Sequence, residues 1–246
     1  EFDVVDASLN AEDLRLRFDN LNGSLSFRSP YALKADNFSG VLFGFPVDIV
    51  IASAEKSVEL NLRGRSTLAD IYRVMDIPDL GLGSGEFRFN AEFEGHPGTP
   101  DSPSLHVVTD TVGIDLNLPA PLAKSRATPL VVETRIEFGE KYTSVEAVTD
   151  IAECWLHIRG GEVLRGGIGI GGAMALRDHS RSGVVVTGGI DSWQINPNFL
   201  LQNSTSIPWH LNHFSVKRVE IDAFVLSNVI LNGFVEGSHT AVDLIS

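Results

Sequence analysis

Hydrophobic and polar residues alternate along most of this chain. In the run Glu86–Glu94, phenylalanine or alanine occupies positions 87, 89, 91 and 93, and polar residues occupy the positions between them. A period of two is typical of a β-strand with one apolar and one polar face. Residues 58–63 alternate in the same way, and glycine, asparagine, aspartate or proline separates one run from the next. The pattern therefore predicts many strands in series that pair as an antiparallel sheet.

The same reasoning places strands along nearly the whole chain, at 21–27, 33–38, 41–43, 47–52, 58–63, 86–94, 105–118, 131–138, 145–151, 154–159, 163–170, 184–190, 214–224 and 229–235. Helical spacing of apolar residues is present at Ser66–Met75, where Ser66 or Thr67 can cap the first turn. A second short helix is predicted at Pro197–Leu201. We expect an all-β fold: an extended, curled antiparallel sheet with an open groove and one or two short helices. Residues 1–246 form one continuous segment in this interpretation.

Composition limits the classes of partner. The net charge is -13 and the pI is about 4.9, which argues against binding nucleic acid or an anionic membrane surface electrostatically. Apolar residues make up 43% of the chain, enough to bury a core. No segment reaches the ~18–20 uncharged apolar residues of a membrane-spanning helix. The chain begins at Glu1 without a recognisable signal peptide, so we expect a piece of a longer protein whose membrane anchor lies elsewhere.

Candidate reactive residues all have a simpler structural interpretation. Cys154 is the single cysteine, and its strand-like surroundings predict a buried, inert thiol. Gly166–Gly172 superficially resembles a dinucleotide-binding loop, but isoleucine alternates with glycine there, which favours a strand that something packs against closely. His210 and His213 are three residues apart, a spacing that two metal ligands can have, but no third ligand is nearby in the sequence. We therefore expect these two histidines to lie at the edge of a strand.

The aromatic and acidic residues leave a carbohydrate-binding or carbohydrate-cleaving function open. If Trp155, Trp193 and Trp209 were exposed, their rings could stack against sugars, but packing in the core is the expected role of each. A glycosidase also needs two converging carboxylates, and the acidic residues fall on the polar faces of strands without an obvious pair. We predict no enzymatic activity, no catalytic residue, no metal and no cofactor.

Four segments resemble the central region of the YhdP-type members of the AsmA-like family. They are 21–27 (LNGSLSF), 38–47 (FSGVLFGFPV), 116–124 (LNLPAPLAK) and 188–193 (GGIDSW). The segment 116–124 is the most specific, and Ala123 stands where the family has glycine. The resemblance covers roughly residues 20–240 and is carried by structural motifs.

This resemblance implies a place in the envelope of a Gram-negative bacterium. Such proteins are anchored in the inner membrane by an N-terminal helix and extend through the periplasm as a long, curled β-sheet with an apolar groove. They are implicated in outer membrane biogenesis through phospholipid transport, and they resemble the bridge-like lipid-transfer proteins of eukaryotes. We therefore expect phospholipid as the ligand, protein partners in the periplasm or membranes at the ends of the full-length protein, and no nucleic acid.

Residues on the apolar faces of the predicted strands are the candidates for lining the groove. An ordinary β-sandwich that packs on itself would use the same residues, and a structural module that binds a protein through its sheet edge is a third alternative. The expected strip consists of Leu60, Leu62, Phe87, Phe89, Phe93, Ile114, Leu116, Leu118, Ile168, Ile170, Val184, Val186, Val219, Ile221, Val229 and Leu231.

Overall fold

The computed structural model describes most of the chain. The described residues are 1–11, 16–28, 32–53, 57–75, 79, 81, 83–96, 98–118, 120–177, 182–195, 208–221, 224–236 and 239–245. Most of them are in β-strands, and one short helix occurs among them, so the all-β prediction is confirmed. The helix predicted at Pro197–Leu201 lies outside the described residues. The chain folds into two compact units, 1–115 with 125–140 and 116–124 with 141–246.

Unit 1 contains the strands before residue 140 and the helix. They are β1 (Phe2–Ala11), β2 (Leu16–Arg28), β3 (Ala32–Leu42), β4 (Phe45–Ser53), β5 (Val58–Thr67), α1 (Leu68–Met75), β6 (Gly83–Gly95), β7 (Ser104–Thr109), β8 (Ile114–Leu116, whose last residue is assigned to unit 2) and β9 (Val132–Phe138). Their order in the sheet is β1-β2-β3-β4-β5-β6-β7-β9, and β8 pairs with β6. Pairing along this path is antiparallel.

The single strand predicted over 105–118 is wrong. The chain turns between β7 and β8, where Thr111 and Gly113 both have positive φ, at 51° and 103°. Leu118 consequently lies beyond the end of β8. Thr111 is held in the turn because its hydroxyl donates to the carbonyl oxygen of Leu130 at 2.8 Å.

Helix α1 begins where the sequence predicts. The Thr67 hydroxyl accepts from the amide of Asp70 at 3.2 Å, and the Asp70 carboxylate accepts from the amide of Thr67 at 3.0 Å. This reciprocal pair satisfies two amides that the first turn leaves without helical partners. The helix contacts β5 and β6, so it lies at the end of the sheet where β5 finishes and β6 begins.

Unit 2 contains seven strands within its described residues. They are β10 (Thr143–Val148), β11 (Ala152–Arg159), β12 (Glu162–Ile170), β13 (Gly183–Ile195), β14 (Trp209–Ile221), β15 (Phe224–Glu236) and β16 (His239–Ile245), in sequential order. The β12–β13 and β13–β14 pairs are parallel, and the other neighbouring pairs of these seven strands are antiparallel. Alternation does not predict the parallel pairs, because the side-chain period is two in either direction.

A short segment crosses the sheet of unit 2 between β12 and β13. We call Ala173–Arg177 the strap. Trp155 donates its indole N–H to the carbonyl oxygen of Leu176 at 2.9 Å, and Arg177 pairs with Glu146 at 2.7 Å. A Cβ atom on Gly169 would approach the amide nitrogen of Ala175 to 2.7 Å. The glycine-rich strand that the sequence predicts is therefore present as part of β12, and the strap packs closely against it.

Candidate functional site

Two rows of side chains run across six strands of unit 1 on its apolar face. Successive members face each other in the register of β3, β4, β5, β6, β7 and β9. The inner row is Phe38, Ile49, Leu62, Ala91, Val107 and Thr134; the outer row is Ala35, Ile51, Leu60, Phe93, Leu105 and Ile136. Strands in a sheet are about 4.8 Å apart, so each row is about 24 Å long.

The inner row is more buried than the outer row on β4, β5 and β6, whereas Ala35 of the outer row is 1% exposed and Val107 and Thr134 of the inner row are half-buried. Phe38, Ile49, Leu62 and Ala91 of the inner row are buried, with 4–7% of their surface exposed. The outer row is half-buried from Ile51 to Ile136. Because α1 lies at the opposite end of β5 and β6, the apolar face is closed near the helix and more open away from it.

The predicted strip residues of β5 and β6 lie on this face, and Ile114 of β8 is buried. Leu60 and Phe93 belong to the outer row and Leu62 to the inner row. Phe87, Phe89 and Ile114 are buried beyond the inner row, toward α1, with 3–8% exposed. Ile49 is absent from the predicted strip because Val50 and Ala52 interrupt the polar side of β4. Phe38 is absent because the irregular register between Ala35 and Phe38 breaks the period of two in β3.

Unit 2 has an apolar cluster of its own, which we call the unit 2 cluster. Half-buried Leu122, Leu156, Val163, Ile168, Trp193, Trp209 and Leu211 pack against it. Its nine buried members are Ile170, Val184, Val186, Ile190, Phe214, Val216, Val219, Val229 and Leu231.

Six of these nine were predicted as strip residues, and the structure brings them together. Leu116 and Leu118 are half-buried in 116–124, the part of unit 2 that precedes its strands. Ile168, also predicted, is half-buried and packs against the cluster. The side chain of Ile221, the last member of the predicted strip, lies outside the described residues. Phe214 and Val216 are absent from the predicted strip because it takes Val219 and Ile221 as the apolar positions of β14, and Phe214 and Val216 occupy the alternate positions.

The polar face of unit 1 carries two open concavities among the described residues. The first, about 500 Å³, is lined by Glu59, Asn61, Glu92, Phe93, Glu94, Ser104, His106, Arg135 and Glu137. The second, about 310 Å³, is lined by Arg65, Glu86, Phe87, Arg88, Asp110 and Val112. Arg65 pairs with Glu86 at 2.9 Å on this exposed surface. These carboxylates lie on an open polar face of the sheet.

The three tryptophans differ in burial: Trp155 is a core residue, and Trp193 and Trp209 are half-buried. Trp155 is only 2% exposed beneath the strap, and Trp193 and Trp209 pack against the unit 2 cluster. The core packing that the sequence predicts is confirmed for Trp155.

The other candidate reactive groups have structural partners. His210 contacts the carbonyl oxygen of Ser182 at 3.2 Å, and His213 contacts the side chain of Asn212 at 3.1 Å. Burial raises the pKa of the Cys154 thiol to about 12, which keeps it protonated and unreactive.

Comparison of the chain with known protein families, curated proteins and solved structures found no match. Within the described residues, no helix combines the length and the apolar character needed to cross a membrane.

Proposed function

We propose that this chain binds phospholipid acyl chains along its apolar faces and is a segment of a periplasmic lipid-transport bridge. The observation that carries the proposal is the outer row: apolar side chains continue across six strands, and five of the six are half-buried. A row about 24 Å long exceeds the ~15 Å that one leaflet contributes to a ~30 Å hydrocarbon core. It can therefore accommodate the full length of an acyl chain.

Movement along such a row needs little activation. Each CH2 group that leaves water gains about 0.8 kcal/mol, wherever along the row it is buried. A lipid that shifts by one strand exchanges one apolar contact for another of the same kind. The headgroup stays in water, so the function requires neither a catalytic residue nor a cofactor.

The location follows from the sequence resemblance. The segments 21–27, 38–47, 116–124 and 188–193 support a place in the periplasm, between an inner-membrane anchor outside this chain and the outer membrane. Phospholipid is the ligand in this proposal, and proteins that meet the two ends of the full-length molecule are its partners.

Lipid extraction from the purified chain tests the proposal. We expect mass spectrometry to find co-purified phospholipid with the wild-type protein and much less with Leu60→Asp, which places a charge in the outer row. Asn61→Asp is the matched control, because it adds the same charge to the exposed face of the same strand. It should leave the bound lipid unchanged.

Two results would count against the lipid proposal. Equal lipid in Leu60→Asp and the wild type would mean that the outer row is not the binding surface. Absence of lipid from a folded wild-type protein would favour the scaffold alternative, for which β1 offers an interaction surface. That terminal strand of unit 1 exposes Phe2, Val5 and Leu9 by 52%, 76% and 53%, as expected of a strand edge that pairs with a partner.

A further inference from the structure

The described residues of 116–124, which are 116–118 and 120–124, form a small closed loop at the apolar face of unit 2. We call them the 116–124 hairpin. Its base is closed by two backbone hydrogen bonds between Leu116 and Lys124, with N–O distances of 2.8 and 3.2 Å. Its tip reaches β13, where the amide of Asp191 donates to the carbonyl oxygen of Ala120 at 2.7 Å. The hairpin can thus keep its own base while its tip separates from the sheet.

Leu122 is the hairpin side chain that meets the unit 2 cluster. The nine members of that cluster are valine, isoleucine, leucine and phenylalanine, whose side chains carry no nitrogen or oxygen. Any group that replaces Leu122 there must be a hydrocarbon, because a polar group would lose its hydrogen bonds. Leu122 is itself only half-buried, so this position lies within reach of a ligand that approaches from solvent.

When the tip separates from β13, the two backbone groups that it releases can form hydrogen bonds to water. Asp191 is exposed and Ala120 is half-buried, so water can reach the amide and the carbonyl that the tip hydrogen bond joins. Exchanging a hydrogen bond between exposed groups for hydrogen bonds to water changes the free energy little. The hydrophobic contact of Leu122 therefore holds the hairpin down, and a second hydrocarbon can compete with it.

We infer that Leu122 occupies an acyl-chain subsite on the unit 2 cluster, and that the 116–124 hairpin moves aside when a lipid chain takes its place. This inference rests on the proposed lipid function and deepens it, since it names a binding position and the residue that covers it. The ligand is the hydrocarbon chain of a phospholipid.

A reversible crosslink tests whether the hairpin has to move. Ala120→Cys and Asp191→Cys would be combined with Cys154→Ser, so that the two new thiols are the only ones. The hydrogen bond between these residues places their backbones side by side, within the range that a disulfide spans. The measurement is transfer of fluorescently labelled phosphatidylethanolamine from vesicles of phosphatidylethanolamine and phosphatidylglycerol, before and after reduction.

Two further variants make the test specific. Ser125→Cys with Thr128→Cys, also in Cys154→Ser, is the control crosslink: these hydroxyls are 3.0 Å apart outside the hairpin. Leu122→Ala keeps the hairpin but weakens its apolar contact. Near-ultraviolet circular dichroism would establish that each variant is folded.

The inference predicts that oxidation of the 120–191 pair lowers lipid transfer severalfold, that reduction restores it, and that the control crosslink leaves transfer unchanged. Leu122→Ala should raise lipid transfer, because a weaker contact between the hairpin and the unit 2 cluster lets the lipid chain displace residue 122 more easily. Transfer that is independent of the crosslink and of Leu122 would overturn the inference and leave the lipid function standing. Absence of transfer from every protein, wild type included, would overturn both.

Discussion

Leu60 of β5 lies directly opposite Phe93 of β6, and both side chains are half-buried. The next pair toward α1, Leu62 opposite Ala91, is buried. Two residues of sequence therefore separate a closed part of the apolar face from a more open part.

We expect Leu62→Ala to lower the free energy of unfolding by about 2–4 kcal/mol. Leu62 is 7% exposed and faces Ile49 on one side and Ala91 on the other, so its truncation leaves a cavity. Urea unfolding followed by circular dichroism measures the change. Asn61→Ala, on the exposed face of the same strand, should change stability by no more than about 0.5 kcal/mol. Similar losses in the two variants would contradict the assignment of faces.

Alanine at Gly169 should displace the strap. Its Cβ would collide with backbone atoms of Ala173 and Ala175, which no side-chain rotation can relieve. A loss of about 1–3 kcal/mol is expected from such overpacking. Because Trp155 donates to Leu176 of the strap, its fluorescence should also shift toward that of an exposed indole.

Gly95→Ala is the control for that substitution. The nearest atom to a Cβ there is a ring carbon of Phe93 at 3.2 Å, which a small ring movement can accommodate. Unchanged fluorescence and stability in Gly169→Ala would show that the strap does not pack against the glycine strand.

Removal of the hydroxyl that caps α1 should weaken the start of the helix. Thr67→Ala loses the acceptor of the Asp70 amide and a 2.7 Å hydrogen bond to the Asp70 carboxylate. The expected cost is about 1 kcal/mol. Thermal unfolding should distinguish it from Thr67→Ser, which retains the hydroxyl and should stay close to the wild type. An equal fall in Tm for both variants would argue against capping.

Cys154 should react with thiol reagents only after unfolding. Burial raises the pKa of its thiol from 9.0 to about 12, which lowers the thiolate fraction near neutral pH by about a thousandfold. Alkylation at pH 8 should be slow in buffer and fast in urea. Comparable rates would show that the thiol is accessible in the folded protein.

The same thiol makes stability depend on pH in the alkaline range. Below about pH 9 the folded and unfolded chains both keep this proton. As the pH rises from about 9 to about 12, the unfolded chain releases it first, so the contribution of Cys154 to the free energy of unfolding falls across that window. Cys154→Ala should remove this part of the pH dependence, as urea titrations at several pH values would measure.

Sequence predicts the local structure of this protein better than its connections. The alternation of β5 and β6 is regular, and the faces of Leu62, Phe87 and Phe89 follow from it. β1 and β16 were not predicted, although both are strands of seven residues or more. The turn at Thr111 was also missed, since a positive φ at a threonine leaves no mark on the hydrophobic pattern.

The candidate site was predicted in part for the same reason. Strip residues were chosen by their spacing within a strand, and the rows depend on the register between strands, which spacing does not determine. The contact of Leu122 with the unit 2 cluster joins a loop to strands more than 40 residues later in the chain.

The parallel pairs on either side of β13 have a consequence for the folding kinetics of unit 2. Antiparallel neighbours such as β10 and β11 are joined by a short turn, so they can form as a hairpin within microseconds. β13 pairs in parallel with both β12 and β14, so neither pair can form as a local hairpin. Contacts with larger sequence separation form more slowly. We therefore expect assembly around β13 to be the slow step in the folding of unit 2. Until that step is complete, the apolar side chains of Val184 and Val186 are exposed to solvent and can promote aggregation.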